Sequence, residues 1–441
     1  MTHTDTSHHD GTVHRPRGTR ADLVLLGIEA GLVAVAVAVG AVLNHRRVPI
    51  HADTAPLYGR WLPHLGPGTP LALLVAAAVV TQGPALAQRL GWRRLMLAGY
   101  LTALCWTLSL ALVDGWSRGL ATRLTPQAEY LHDLPMVHGI PAMLRGFTHH
   151  ILDFQPGSWT THVSGHPPGA FLVFVVLDRV GLGGGGPAAL LCVLIGATAP
   201  VSVAVALRAL GAPQAARAAL PFLALFPGAV WVGASADGMF TGVVAAGLAL
   251  LAVGGVRAGL AGGLLLGFSL YLSYGLVLVG LLALAVLWLR RPGSTTVVAA
   301  GTGVAAVAVA FTASGFCWPT GYHLVVRRYY QGWAAQRPYG YWVWADLACL
   351  VICAGPVLAP ALRRLATARP RLWPLPAAAL IAIMAADLSG LSKAEVERIW
   401  LPYTIWLLVA TAWLPARHRR AWLIAQALTA LAVNHLLLTD W

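Results

Sequence analysis

Three residues able to move protons stand within five positions of one another in this chain: Glu129, His132 and Asp133. Two carboxylates beside an imidazole can act as a general base, or can bind a divalent cation that in turn holds a phosphate. On a helix, the i, i+3 and i+4 spacing places all three on one face. A solvated face of a surface helix has the same spacing. The trio lies in residues 124–169, the longest non-spanning segment between two strongly apolar regions. That segment ends in His162-x-x-x-His166-Pro167-Pro168-Gly169. The prolines fix the backbone and remove donors, so the chain re-enters apolar sequence at a set angle, although an ordinary helix start also favours proline. His162 and His166 can each donate to a phosphate.

Further polar groups cluster in four other places. Asp53 lies in the loop between residues 44 and 69. Asp237 follows Ser235 and Ala236, where it can cap the helix over 238–254 or do chemistry. Residues 314–344 mix Arg327, Arg328 and Arg337 with Tyr339 and other aromatics. Tyr and Trp form belts at membrane interfaces, but guanidinium groups also bind phosphate bidentately, and aromatic faces can stack on a sugar or cover an isoprenoid. Lys393, Glu395, Glu397 and Arg398 crowd into six positions before a late apolar run. Such charges are costly near lipid unless paired or wet. Glu395 and Arg398 are spaced as a helical pair. Lys393 and Arg398, opening onto the same face as Arg337, would clamp a phosphate.

These groups are positioned by membrane sequence. Of 441 residues, 58% are hydrophobic and 10% charged, against about 25% charged in soluble domains. The expected fold is all-α: a polytopic bundle of about thirteen spans, with short re-entrant or interfacial helices in the outer loops. The spans are read near 23–43, 69–88, 96–114, 187–207, 217–233, 237–254, 258–272, 275–289, 294–313, 345–362, 373–390, 400–415 and 421–438. Outer loops fall near 44–68, 115–167, 314–344 and 390–399. Residues 1–20, with His3, His8, His9 and His14, read as a disordered cytoplasmic tail; 21–441 form a single membrane domain. The net charge of +14 does not imply nucleic acid, because the arginines sit in short clusters between apolar runs, the positive-inside pattern. With the N-terminus inside, those clusters all fall inside if 168–181 does not cross. After Glu29, every carboxylate then lies at or near the outer face. Cys349 and Cys353, four apart on a span, read as a buried thiol pair.

The acidic loop followed by Pro167-Pro168, the turn from Phe226-Pro227 to Asp237, and Arg398-Ile399-Trp400 together resemble the GT-C superfamily of polytopic glycosyltransferases, in particular its actinobacterial members. The resemblance covers most of 95–441. It implies a cell-membrane enzyme that moves a sugar, mannose or arabinose-like, from a polyprenyl-phosphate donor to an extracytoplasmic glycan, glycolipid or protein acceptor of the cell envelope. It further implies that Glu129 or Asp133 is the base, and that Arg327, Arg328, Arg337, Lys393 and Arg398 hold the leaving phosphate. No cofactor is implied beyond the donor itself, a divalent cation being the optional addition, and membrane lipids are the other partners. In much of the superfamily the acidic loop follows the first span; here it follows the third, which leaves Asp53 as an alternative base. A transporter or lipid flippase, and a non-catalytic partner in envelope assembly, are the rival expectations.

Overall fold

A computed structural model describes residues 18–291 and 293–440. The histidines of the N-terminal tail lie outside the described residues. In chain order the elements are α1 (Thr19–His45), β1 (Gly59–Trp61), α2 (Thr69–Arg89), α3 (Trp92–Asp114), α4 (Pro168–Arg179), α5 (Gly185–Ala209), α6 (Pro213–Ala224), α7 (Ala236–Val253), α8 (Val256–Leu272), α9 (Tyr274–Arg290), α10 (Ser294–Ala313), α11 (Trp318–Gln331), α12 (Tyr339–Ala354), α13 (Leu358–Ala368), α14 (Pro374–Leu388), α15 (Leu401–Trp413), α16 (Arg419–Leu436) and β2 (Leu437–Thr439). Proline stands in the first turn of α2, α4, α6, α11 and α14, where a missing N–H removes no helical bond. The described residues form a helical bundle with one small antiparallel strand pairing, β1 with β2.

Among the described residues six helices, α1, α2, α3, α5, α7 and α10, are long and apolar enough to cross a membrane. The other apolar helices, α8, α9, α14 and α15, have 10–17 residues, and at 1.5 Å per residue reach at most about 26 Å. Length and composition by themselves mark six crossings among the described residues, or seven with the bent pair α12–α13 counted as one, fewer than the thirteen expected. α7 is the hub: 78% of its apolar window is buried, against 17% for α1 and 22% for α10. The outer helices instead present Leu23, Val35, Leu73 and Val298 to the surroundings, as lipid-facing helices do.

The span expected over 345–362 is two helices, not one. α12 and α13 meet at 87°. The cause is Gly355-Pro356: Gly355 takes φ 87°, ψ 164°, outside the reach of L side chains, and proline cannot continue a helix. The backbone groups freed by the break are answered from elsewhere. Gln426 Nε2 donates to the Ala354 carbonyl (2.9 Å), and Glu29 Oε1 accepts from the Ala359 amide (2.7 Å). This gives Glu29, an acid within the first span, a structural task. Cys349 and Cys353 are buried free thiols whose sulfurs face the carbonyls of Pro56 and Glu397.

Contacts sort the turns onto two ends. At the basic end, Arg217 donates to the carbonyls of Ala87 (2.6 Å) and Leu90 (2.9 Å), Arg208 lies over Trp92, Arg420 reaches Thr81 and Arg371 reaches Leu289. Asp22 also sits there, bonded by Arg363 at 3.0 Å and by Arg364. At the other end Asp114 receives His64 (2.9 Å) and Arg123 (2.8 Å), and Arg123 donates onward to Thr439. Here α4 starts and finishes: Gly169 abuts Tyr271, Arg179 donates to the Val137 carbonyl, and Gly185 abuts Ala121.

Candidate functional site

Four short pieces of chain converge at the acidic end. Glu129 is not helical. It is extended (φ −96°, ψ 167°) and precedes a 3-10 helix, Tyr130–Met136. The single helical face expected for Glu129, His132 and Asp133 is therefore absent. His132 points to solvent, while Asp133 is buried and accepts from the Thr160 amide (2.8 Å) and hydroxyl (2.9 Å). Asp133 thereby fixes the approach to the short helix Thr161–Ser164, which carries His162. The cation that the trio was read as able to bind loses its ligand set. Among the described residues no group of three His, Cys, Asp or Glu side chains is placed to hold a metal.

The third piece is the first turn of α7. Ser235, not Asp237, is its cap, accepting from the Gly238 amide at 3.1 Å. This leaves the Asp237 carboxylate free for Arg398, whose Nη1 lies 2.6 Å from Asp237 Oδ2. Arg398 belongs to the fourth piece, the helix Val396–Ile399. Its Nη2 lies 2.7 Å from Glu395 Oε2 and 3.1 Å from His162 Nε2. A guanidinium only donates, so His162 Nε2 must accept and its proton sits on Nδ1. Nδ1 in turn lies 2.9 Å from the Ala128 carbonyl and 3.1 Å from Glu129 Oε1. The chain Glu129–His162–Arg398–Asp237 is thus continuous.

Burial sets the protonation states. Desolvation pushes Glu129 from 4.5 up to about 8, against the pull of Arg398. Burial, with Arg398 and His166 adding to it, pushes His162 down to about 3, in keeping with the neutral ring. Burial also pushes Glu395 up, but Arg398 and Arg337 outweigh it and hold this carboxyl below its ordinary range.

Arg337 enters through Glu395, whose Oε1 it meets at 3.0 Å. It also donates to the carbonyls of Lys393 (2.6 Å) and His51 (3.3 Å), and its plane lies near Tyr58 and Trp333. Lys393 donates to the carbonyls of Ala335 and Arg337. His166 stands behind His162, bonded to its carbonyl at 2.8 Å. Glu397 is fully buried and accepts from the Tyr58 amide at 3.0 Å.

Of the anticipated site residues, Glu129, His162, His166, Asp237, Arg337, Lys393, Glu397 and Arg398 fall in this region. The others do not. Asp53 is exposed, and its carbonyl serves Asn44. Arg327 is exposed, Arg328 pairs with Asp153 at 2.6 Å, and the Tyr339 hydroxyl caps the Leu388 carbonyl. Glu395 was read only as the helical partner of Arg398, a pairing the structure shows, and two residues were missed, Tyr130 and Arg123, for which the sequence has no signal. Arg123, Glu129, Tyr130, His162, Ser235, Asp237 and Arg398 line one crevice. Its free volume is about 10 Å³, on the order of one water. The Tyr130 hydroxyl in its wall is buried and has no hydrogen-bond partner among the described residues. A larger open hollow of about 460 Å³, between Leu134–His138 and Asp178–Arg179, contains none of these groups. Comparison with models of known families, with curated proteins and with solved structures finds no match to this chain.

Proposed function

We propose that this is a membrane glycosyltransferase that moves a sugar, mannose or arabinose-like, from a polyprenyl-phosphate donor to an extracytoplasmic acceptor of the cell envelope. One observation carries the reading: Glu129, His162, Asp237 and Arg398, from four distant segments, meet in a single buried crevice at one end of a membrane bundle. On this reading the Arg-rich end is cytoplasmic, following the positive-inside rule, and the N-terminus with it. The acidic end is extracytoplasmic, about thirteen passes alternate between the faces, and α4 is re-entrant.

The chemistry assigns Glu129 as base. It removes the proton of an acceptor hydroxyl, the oxygen forms a bond to the anomeric carbon, and the bond from that carbon to the phosphate oxygen breaks with its electron pair. The charge gathering on the departing polyprenyl phosphate is met by guanidinium groups, the kind of preorganised field that contributes most to such steps. A carboxyl poised at about 8 is a stronger base than an ordinary glutamate. Tyr130 offers its hydroxyl to a bound hydroxyl or water. The test is transfer from radiolabelled polyprenyl-phosphate mannose or arabinose in outward-facing vesicles. Glu129→Ala should abolish transfer while Asp133→Ala, if folded, retains it; full turnover by Glu129→Ala refutes the base.

One observation favours a second reading, a transporter or flippase. The α12–α13 break, capped by the intramembrane Glu29, has the form of the interrupted helices of transporters. Cysteines placed at Asp237 and Asp387 separate the two. Labelling that switches sides with substrate marks a transporter, and labelling from the acidic end alone marks the transferase.

A further inference from the structure

The two arginines that the proposed reaction needs share one carboxylate between them. Glu395 presents Oε1 to Arg337 at 3.0 Å and Oε2 to Arg398 at 2.7 Å. One anion with two oxygens, bridging two guanidinium groups, has the geometry in which such groups hold a phosphate. We propose that Glu395 is a displaceable stand-in for the phosphate of an incoming ligand, and that binding exchanges the carboxylate for a phosphate ester between Arg337 and Arg398. The inference rests on the transferase reading and names how that site takes up its anion.

Three observations point to exchange, not permanent pairing. The first is exposure: the Glu395 side chain is 17% exposed, against 3% for Arg337 and 7% for Arg398 and Asp237. It is the member of the cluster nearest to leaving. The second is the backbone. Ala394 and Glu395 are consecutive non-glycine residues at φ 65° and 63°, a left-handed conformation that L residues rarely adopt. It is held by the Ala394 amide on Asp346 Oδ1 (3.3 Å) and by the two arginines. Release of Glu395 lets this strained pair relax. The third is what remains behind. Arg337 keeps two carbonyls and three aromatic neighbours, so it stays in place. No other carboxylate stands within ion-pair distance of it among the described residues. Arg398 keeps Asp237. With Glu395 swung out, the cluster has gained one positive charge and lost an anion of the same shape, and an entering phosphate restores the balance.

The experiment uses the full-length protein in neutral detergent. Inorganic phosphate and a short-chain polyprenyl phosphate are titrated separately, and binding is read from tryptophan fluorescence, Trp333 being 5.5 Å from Arg337. Because a competing internal anion reduces apparent affinity by the fraction of open protein, Glu395→Gln should bind at least ~10-fold tighter than wild type. A gain for both probes marks a bare phosphate site; a gain for the lipid phosphate alone marks a site that reads headgroup and chain together. Unchanged or weaker binding of both by folded Glu395→Gln overturns the exchange. Should that variant not fold, Ser392→Cys in the otherwise native chain provides the second readout. Its thiol labelling should accelerate at saturating lipid phosphate, and a constant rate overturns the proposal. Transfer is assayed in parallel. A protein that transfers sugar but shows no gain loses the exchange alone; one that gains affinity yet transfers nothing keeps the exchange and loses the transferase.

Discussion

Replacing Arg398 by methionine is the sharpest structural perturbation available, because one guanidinium serves Asp237, Glu395 and His162 together. Methionine keeps most of the volume and removes the charge. Glu395 still has Arg337 at 3.0 Å, and His162 still has the Ala128 carbonyl. Asp237 is the group left stranded: its side chain is 7% exposed and its ion-pair partner is gone. Removing one partner of a buried pair costs about 3–5 kcal/mol, most of it from the charge left behind. Asp237→Asn in the same chain removes that charge, so the double variant should recover about 2 kcal/mol, a coupling within the range for contacting residues. Unfolding is followed in mixed micelles by the reaction of thiols with a fluorogenic dye. Cys192, Cys349 and Cys353 are buried and report unfolding, while the exposed Cys105 and Cys317 are first changed to serine. Strict additivity of the two substitutions, or a loss below about 0.5 kcal/mol for Arg398→Met, would refute the buried chain of charges.

Three further outcomes follow from the same geometry. Asp133→Asn should lower stability by about 1–3 kcal/mol, since it weakens the two bonds to Thr160, yet leave turnover per folded molecule within a few-fold of wild type. Gly355→Ala places a Cβ against Gln426 at φ 87° and should destabilise by about 1–3 kcal/mol. Gln426→Ala should rescue it only in part, because it removes the contact and leaves the strained backbone angle. Burial raises Glu129 from 4.5 to about 8, so across that window the folded protein retains a proton that the unfolded chain releases. Stability should therefore fall as pH rises through the window, and Glu129→Gln should flatten the dependence.

Much of the bundle was legible because hydrophobic runs and arginine clusters act locally. α1, α2, α3, α5, α7 and α10 begin or end within a few residues of the expected spans. The break at Gly355-Pro356 was written in the chain but masked by the apolar residues on both sides. The site was legible in part. Placing the carboxylates on one face brought Glu129, Asp237, Glu395 and Arg398 to the same end, but sequence could not say which would touch. Asp133 looks as catalytic as Glu129 until Thr160, 27 residues later, is seen to claim it. Arg327 and Arg328 share a helix, yet one faces outward and the other is taken by Asp153. Tertiary partners decide such roles, and no local pattern contains them.

The most direct test of the account is the pH dependence of kcat/KM for sugar transfer by the reconstituted protein. The account predicts that log kcat/KM rises with unit slope and levels off near pH 8, as Glu129 loses its proton. His162, held down to about 3, adds no limb in this range. Glu129→Gln should lose the limb along with about 10²–10⁴ of the rate. A wild-type profile that is flat between about pH 6 and 9, or a Glu129→Gln variant that turns over like wild type, contradicts it.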